Sequence, residues 1–107
     1  MGGDYKVIFG QRSRQDLRGI VLYIRQGSGS PEVAARFGQT LIKRALSLGH
    51  MPERGRILPE LGQEDVREIL FRSYRIVYRI AGQEIQVLRF WHAARGTPEI
   101  SIDEFRD

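Results

Sequence analysis

The sequence predicts an α+β fold in which a helical hairpin packs on one face of a small antiparallel sheet, and three features predict it. The stretch from Val66 to Gly96 is dense in β-branched, aromatic and long apolar residues, which suit a pleated, half-buried surface. Ahead of it lie two segments with apolar residues at helical spacing, joined by a Gly-Ser-Gly-Ser link. A short alternating run, Tyr5 to Phe9, precedes both and completes the order β-α-α-β-β-β.

Taken in order, residues 1–4 read as a loose start, and no serine or threonine stands at position 6 to make a myristoylation signal. After the first strand, Ser13 with Asp16 three residues on resembles a capping box, which starts a helix and puts the acid at the favourable end of its dipole. Leu17, Ile20, Val21 and Ile24 form its apolar stripe, and Gly27-Ser28-Gly29 ends it. A second helix begins with Ser30 as N-cap and Pro31 in the first turn, where a missing N–H costs nothing. Ala34, Phe37, Leu41, Ala45 and Leu48 recur along it until Gly49 takes the position after its end.

From His50 to Glu64, two prolines and two glycines rule out a continuous helix or a central strand. Arg72-Ser73 and Ala81-Gly82-Gln83 then divide the sheet region into strands over about 66–71, 74–80 and 84–91, with Gly82 able to supply the positive φ of a hairpin turn. In the middle strand Tyr74, Ile76, Tyr78 and Ile80 share the core-facing parity, so Arg75, Val77 and Arg79 are expected on a wet face. Tyr74 and Tyr78 are therefore core residues rather than stacking platforms for bases. The parity of the last strand stays open, since Ile85, Val87 and Trp91 or Leu88 and Phe90 can each face inward. Residues 97–107 form an acidic tail around Ile100, Ile102 and Phe105 that either folds back over the basic sheet or waits for a partner.

At 107 residues the chain makes one domain, 1–107, large enough to bury about two-thirds of its unfolded surface. The absence of cysteine excludes a disulfide framework and thiolate chemistry and fits a reducing compartment. There is no apolar run of membrane-spanning length and no signal-peptide pattern, so a cytoplasmic location is expected. Two histidines far apart make no metal-ligand set, and no phosphate loop or nucleophile turn is present, so no metal or cofactor is expected. The net charge of +4 is carried almost wholly by arginine, 15 residues against two lysines. Guanidinium forks grip phosphate or carboxylate in two-point fashion and tolerate partial burial, which implies an anionic partner; solvated surface is the bland alternative.

Four motifs occur together with the helical hairpin: Pro52-Glu53-Arg54-Gly55-Arg56, Arg67-Glu68-Ile69-Leu70, the phrase Tyr74-Arg75-Ile76-Val77-Tyr78-Arg79, and a closing Leu-Arg-x-x-His-x-x-Arg at Leu88, Arg89, His92 and Arg95. On these residues the chain from about Tyr5 to Gly96 resembles the RelE/ParE superfamily of toxins from type II toxin–antitoxin systems, closest to the ParE-like branch. The resemblance implies a growth-inhibiting toxin neutralised by a cognate antitoxin. ParE-like members poison DNA gyrase, whereas RelE-like members cleave messenger RNA on the ribosome. The ending Trp91-His92-Ala93-Ala94 offers only one acid–base group, which favours the ParE-like reading and makes the protein a binder rather than an enzyme.

On that reading Arg72, Arg75, Arg79, His92 and Arg95 are expected to form the target-binding surface. The alternative, an mRNA endoribonuclease, needs a base, an acid and cations around the phosphate. It would use Arg72, His92 and Arg95, with Arg75 also on the phosphate and His50 or Glu60 brought in for the second proton transfer. The resemblance also implies an acidic antitoxin tail along the hairpin and sheet edge, for which Arg36, Lys43 and Arg44 on the second helix are the expected receivers. A further alternative is a non-toxic nucleic-acid-binding module with steeply salt-sensitive binding.

Overall fold

A computed structural model describes residues 4–105. The chain begins with strand β1 (Lys6–Phe9), followed by helices α1 (Gln11–Ser28) and α2 (Pro31–Leu46). Two short 3-10 turns lead to an edge strand β2 (Arg56–Ile57), then β3 (Val66–Phe71), β4 (Tyr74–Ala81) and β5 (Glu84–His92). The five strands lie in the order β1-β5-β4-β3-β2, antiparallel throughout except that β1 runs parallel to β5. The expected α+β architecture is present, with β1 on the sheet edge and the three predicted strands within a residue of their predicted bounds.

The main core lies between the hairpin and the sheet. Ile20, Leu41, Ala45 and Leu48 from the helical side meet Tyr74, Ile76, Tyr78, Ile85, Val87 and Phe90 from the strands. Tyr74 and Tyr78 are buried there, as their parity requires. Burial pushes the Tyr78 phenol above its ordinary range, and its hydroxyl both donates to the Pro52 carbonyl and accepts the Gly55 N–H. That pair of bonds stitches the 50–57 turn to the middle of the sheet.

The open parity of β5 has a simple answer. Val77 pairs with Arg89 while its neighbour Tyr78 pairs with Val87, so Leu88 is left without an opposite residue as a bulge. Before the bulge Ile85 and Val87 face the helices; after it Phe90 does, and Leu88 turns to the other side. Both sets point inward, each in its own half of the strand.

The face expected to stay wet is closed. Leu58, Val66, Val77 and Leu88 form a second small core, covered by Ile100, Ile102 and Phe105 of the tail. The arginines that alternate with them find internal acids. Arg75 is only 7% exposed; its guanidinium forks onto both carboxylate oxygens of Glu60 at 2.8 Å and its Nε bonds to Glu68. Glu68, 1% exposed, is held on its other oxygen by Arg56. Arg79 donates to Asp65 at 3.0 Å and to Gln86 at 3.2 Å. Period-2 alternation marks which residues share a face; it cannot tell that a remote loop supplies acids and a lid to cover that face.

Two helix ends also differ from expectation. Helix α1 starts at Gln11, with Gly10 as its N-cap and no side-chain cap of its own. Ser13 is buried and donates to the Gly10 carbonyl at 2.7 Å instead of capping. The anion at this helix start is Glu104 of the tail, whose carboxylate accepts the Gln11 N–H at 2.7 and 2.9 Å. Asp16 is drawn sideways to Arg89. Helix α2 begins as predicted, Ser30 accepting the Val33 N–H at 3.2 Å, but stops at Leu46. Gly49 then sits where an added Cβ would lie 2.8 Å from the Tyr5 carbonyl oxygen, so its role is close approach to β1 rather than helix termination.

Candidate functional site

The functional residues gather where β5 ends and β4 begins. Beyond Val87, β5 has lost its parallel neighbour, because β1 stops at Phe9 and the chain turns into α1. Helix α1 takes over that edge. Asp16 accepts the Phe90 N–H at 3.1 Å, doing the work of a missing strand, and its two oxygens receive Arg89 at 2.7 and 2.9 Å. The ion pair is nearly buried, and it raises the Arg89 guanidinium above its ordinary range.

Between α1 and this end of the sheet opens a cleft of about 570 Å³. Gln15, Asp16, Gly19, Ile20 and Tyr23 supply one wall from a single helix face, and Tyr74, Phe90, His92 and Arg95 supply the other. Ile20 and Phe90 make an apolar floor. Tyr23, 70% exposed, stands at the rim. The Tyr74 hydroxyl is pushed up in pKa, first by burial and then by Tyr23. The His92 ring meets the Tyr74 ring edge-on, centroids 5.1 Å apart, and its Nδ1 accepts the Ala94 N–H at 3.1 Å. With Nδ1 used as an acceptor, the neutral ring carries its proton on Nε2 and presents a donor.

Arg95 is exposed and lies over the face of Trp91 at 4.2 Å, while Arg89 lies over the same ring at 4.6 Å. Arg72 sits just past the cleft in the β3–β4 turn. That turn is pinned to the end of β5 by the Ala93 N–H donating to the Ser73 carbonyl at 2.7 Å. Arg72 adopts φ 53, unusual for a residue with a side chain, and its guanidinium lies 5.4 Å from the centroid of the Phe71 ring.

The structure thus brings His92 and Arg95 into one cleft with Arg72 at the same end of the sheet. It separates Arg75 and Arg79, which spend their charge on Glu60, Glu68 and Asp65 on the opposite face. Glu60 is held below the ordinary carboxylate pKa, first by its hydrogen bonds from Arg75. His50 is exposed at the start of the 50–55 turn, 3.5 Å from Asp4. Neither joins His92. On α2, Arg36, Lys43 and Arg44 are exposed on one face, and Arg44 stacks on Phe71 at 4.9 Å, on the ring that Arg72 also covers.

Sequence reasoning missed Asp16, Gln15 and Tyr23 as cleft residues. An aromatic on the polar side of an amphipathic helix, eight residues from Gln15 and so on its face, was the available signal for Tyr23. Among the described residues no group of three or more His, Cys, Asp or Glu could hold a metal ion, and no helix is long and apolar enough to cross a membrane.

A helical hairpin on a five-stranded sheet with this arginine-rich end defines a toxin of the RelE/ParE superfamily. Within it, the chain belongs to the family described as ParE toxin of type II toxin–antitoxin system, parDE, whose model matches residues 7–96. Toxin RelE1 of Caulobacter vibrioides is 28% identical over 88 residues, covering 82% of this chain and 92% of that protein. Among solved structures, the chromosomal ParDE system from P. aeruginosa has a chain similar in fold, with TM-score 0.70 and 24% identity over 82% of this chain and 95% of that one. The RelBE2 toxin–antitoxin complex from Mycobacterium tuberculosis has another, with TM-score 0.59 and 23% identity over 83% and 98%.

Proposed function

We propose that this chain is the toxin of a type II toxin–antitoxin pair, that it arrests growth in the cytoplasm by binding DNA gyrase, and that a cognate antitoxin neutralises it. Family membership supports the toxin role. His92 carries the choice of binding over RNA cleavage. It is the one imidazole at the cleft, its Nδ1 is already an acceptor for Ala94, and the carboxylate beside it, Asp16, is consumed by Arg89 and the Phe90 N–H. Such a site offers hydrogen-bond donors and a stacked cation to an anionic surface, and beside His92 it holds the Tyr74 phenol, which burial keeps protonated, rather than a free carboxylate or a second imidazole.

Arg72, His92 and Arg95 make the contact with the target, and Arg75 and Arg79 serve it from behind by fixing the strands that carry them. Tyr23 and Trp91 add the large rigid surfaces that dominate interfaces of this kind. Arg36, Lys43 and Arg44 receive the acidic segment of the antitoxin; the ParDE system and the RelBE2 complex are themselves toxin–antitoxin assemblies.

The test is induction of the chain without its antitoxin, followed by gyrase supercoiling and cleavage-complex assays on purified enzyme and by mapping of message ends on translating ribosomes. Stalled gyrase with intact messages, relieved by Arg95→Ala together with Arg72→Ala, is the expected result. Codon-phased cuts abolished by His92→Ala would replace this reading with the endonuclease. Salt-sensitive nucleic-acid binding with no effect in either assay would replace it with a binding module.

A further inference from the structure

The family match stops at residue 96, and the relatives above are covered over 92% or more of their own lengths. Residues 97–105 therefore lie beyond the family match, yet they are docked against Arg89 and the start of α1. Arg89 donates to the Glu99 carbonyl at 2.8 Å, to both oxygens of Asp16, and stacks on Trp91. Trp91 in turn donates its indole N–H to the Gly96 carbonyl at 3.1 Å and carries Arg95 on its ring. Further along, Arg12 pairs with Glu99 at 3.0 Å, and Glu104 caps α1 at Gln11.

We propose that residues 97–105 form a strap that opens independently of the rest of the fold and, acting through Arg89, sets the position of α1 against β5 and hence the width of the cleft. Five of the nine residues lining the cleft belong to α1. The hydrogen bonds that seat the strap include those from Arg89 to the Glu99 carbonyl, from Arg12 to the Glu99 carboxylate and from the Gln11 N–H to Glu104, and the strap adds no strand to the sheet. Of its apolar residues Pro98 is buried, while Ile100, Ile102 and Phe105 are only partly so. Segments held by few buried contacts open at lower cost than the ladder-bonded core. Gly96, with φ 81 and ψ −145, is a conformation that side-chain-bearing residues avoid, and it marks the hinge.

The molecule carries its own reporter, because Trp91 is the one tryptophan of the sequence. In the full-length chain, Glu104→Gln weakens the cap and Phe105→Ala removes the terminal apolar anchor. Hydrogen exchange and tryptophan emission then read the two ends of the strap. The expected result is faster exchange in the first turn of α1, by about fivefold for Glu104→Gln and on the order of tenfold or more for Phe105→Ala. Trp91 emission should shift while amides of β4 keep wild-type protection. Arg89→Lys, which keeps the charge but loses the fork, should shift Trp91 emission and loosen α1 with the strap residues unchanged. If β4 amides accelerate together with α1, the strap is merely part of the global unfolding unit and the inference fails. Unchanged exchange at α1 in both strap variants sinks it equally.

Discussion

Replacing Arg75 by alanine separates a structural cation from a target-binding one. Its neighbour Glu68 is 1% exposed and is held by two guanidiniums, Arg75 and Arg56, of which the Arg56 side chain is 61% exposed and loosely fixed. Removing Arg75 leaves Glu68 buried with one solvated partner and also frees Glu60, so the 58–62 turn that carries Leu58 loses a tether. Breaking a buried pair from one side costs about 3–5 kcal/mol. A chain of this size has a total stability of about 5–15 kcal/mol, so much of the margin goes. At about 4–8 °C per kcal/mol for a domain of 60–100 residues, the melting temperature falls by at least ~12 °C. The double variant Arg75→Met with Glu68→Leu removes both charges and fills the same space, and should recover most of the loss. Thermal and urea unfolding measure both variants. A melting temperature for Arg75→Ala within about 2 °C of wild type, the signature of a solvated surface residue with an effect under ~0.5 kcal/mol, would refute the internal role.

Three other outcomes follow from the packing and charge of the fold. Gly19 lies mid-helix with nothing within 4 Å of an added Cβ, so Gly19→Ala should stabilise by ~0.5–1 kcal/mol in urea titrations, whereas Gly19→Leu should fold equally well but block the cleft and abolish growth arrest. Because the Glu60 pKa is lowered in the folded state, the unfolded chain binds more protons in acid. Stability from the Arg75 fork is full above the ordinary carboxylate value and is lost as pH falls through the lower folded value; the urea midpoint should drop between about pH 5 and pH 3, less steeply in Glu60→Gln. Tyr78→Phe deletes the hydroxyl that serves Pro52 and Gly55 and should cost ~1–3 kcal/mol, with faster amide exchange at Gly55.

Much of this architecture was legible from local chemistry. Ser30-Pro31 started α2 where the rule for first-turn prolines says it should, and Gly82 turned β4 into β5 with φ 61. The misreadings share a cause. Ser13 and Asp16 look like a capping box within four residues, but Glu104 and Arg89, remote in sequence, compete for those roles and win. Arg75 and Arg79 alternate with a buried valine as residues of a wet face do, and only the fold reveals that Glu60 and Asp65 come round to meet them. The cleft was half visible: His92 and Arg95 stand out by type, while Gln15 and Tyr23 acquire meaning only when α1 is laid along the free edge of β5. Charge type and strand parity are local properties, whereas the partner that neutralises a charge is chosen by topology.

The unpaired Leu88 makes β5 a strand with two handednesses of address. Were Leu88 kept but paired in an unbroken ladder, every side chain after it would exchange sides: Trp91 would enter the main core and His92 would be turned toward Val77 and the tail. Deleting Leu88, by contrast, would set Val87 and Arg89 side by side opposite Tyr78 and Val77 and leave Phe90, Trp91 and His92 on the faces they hold now, so the extra residue serves to send one leucine into the second core.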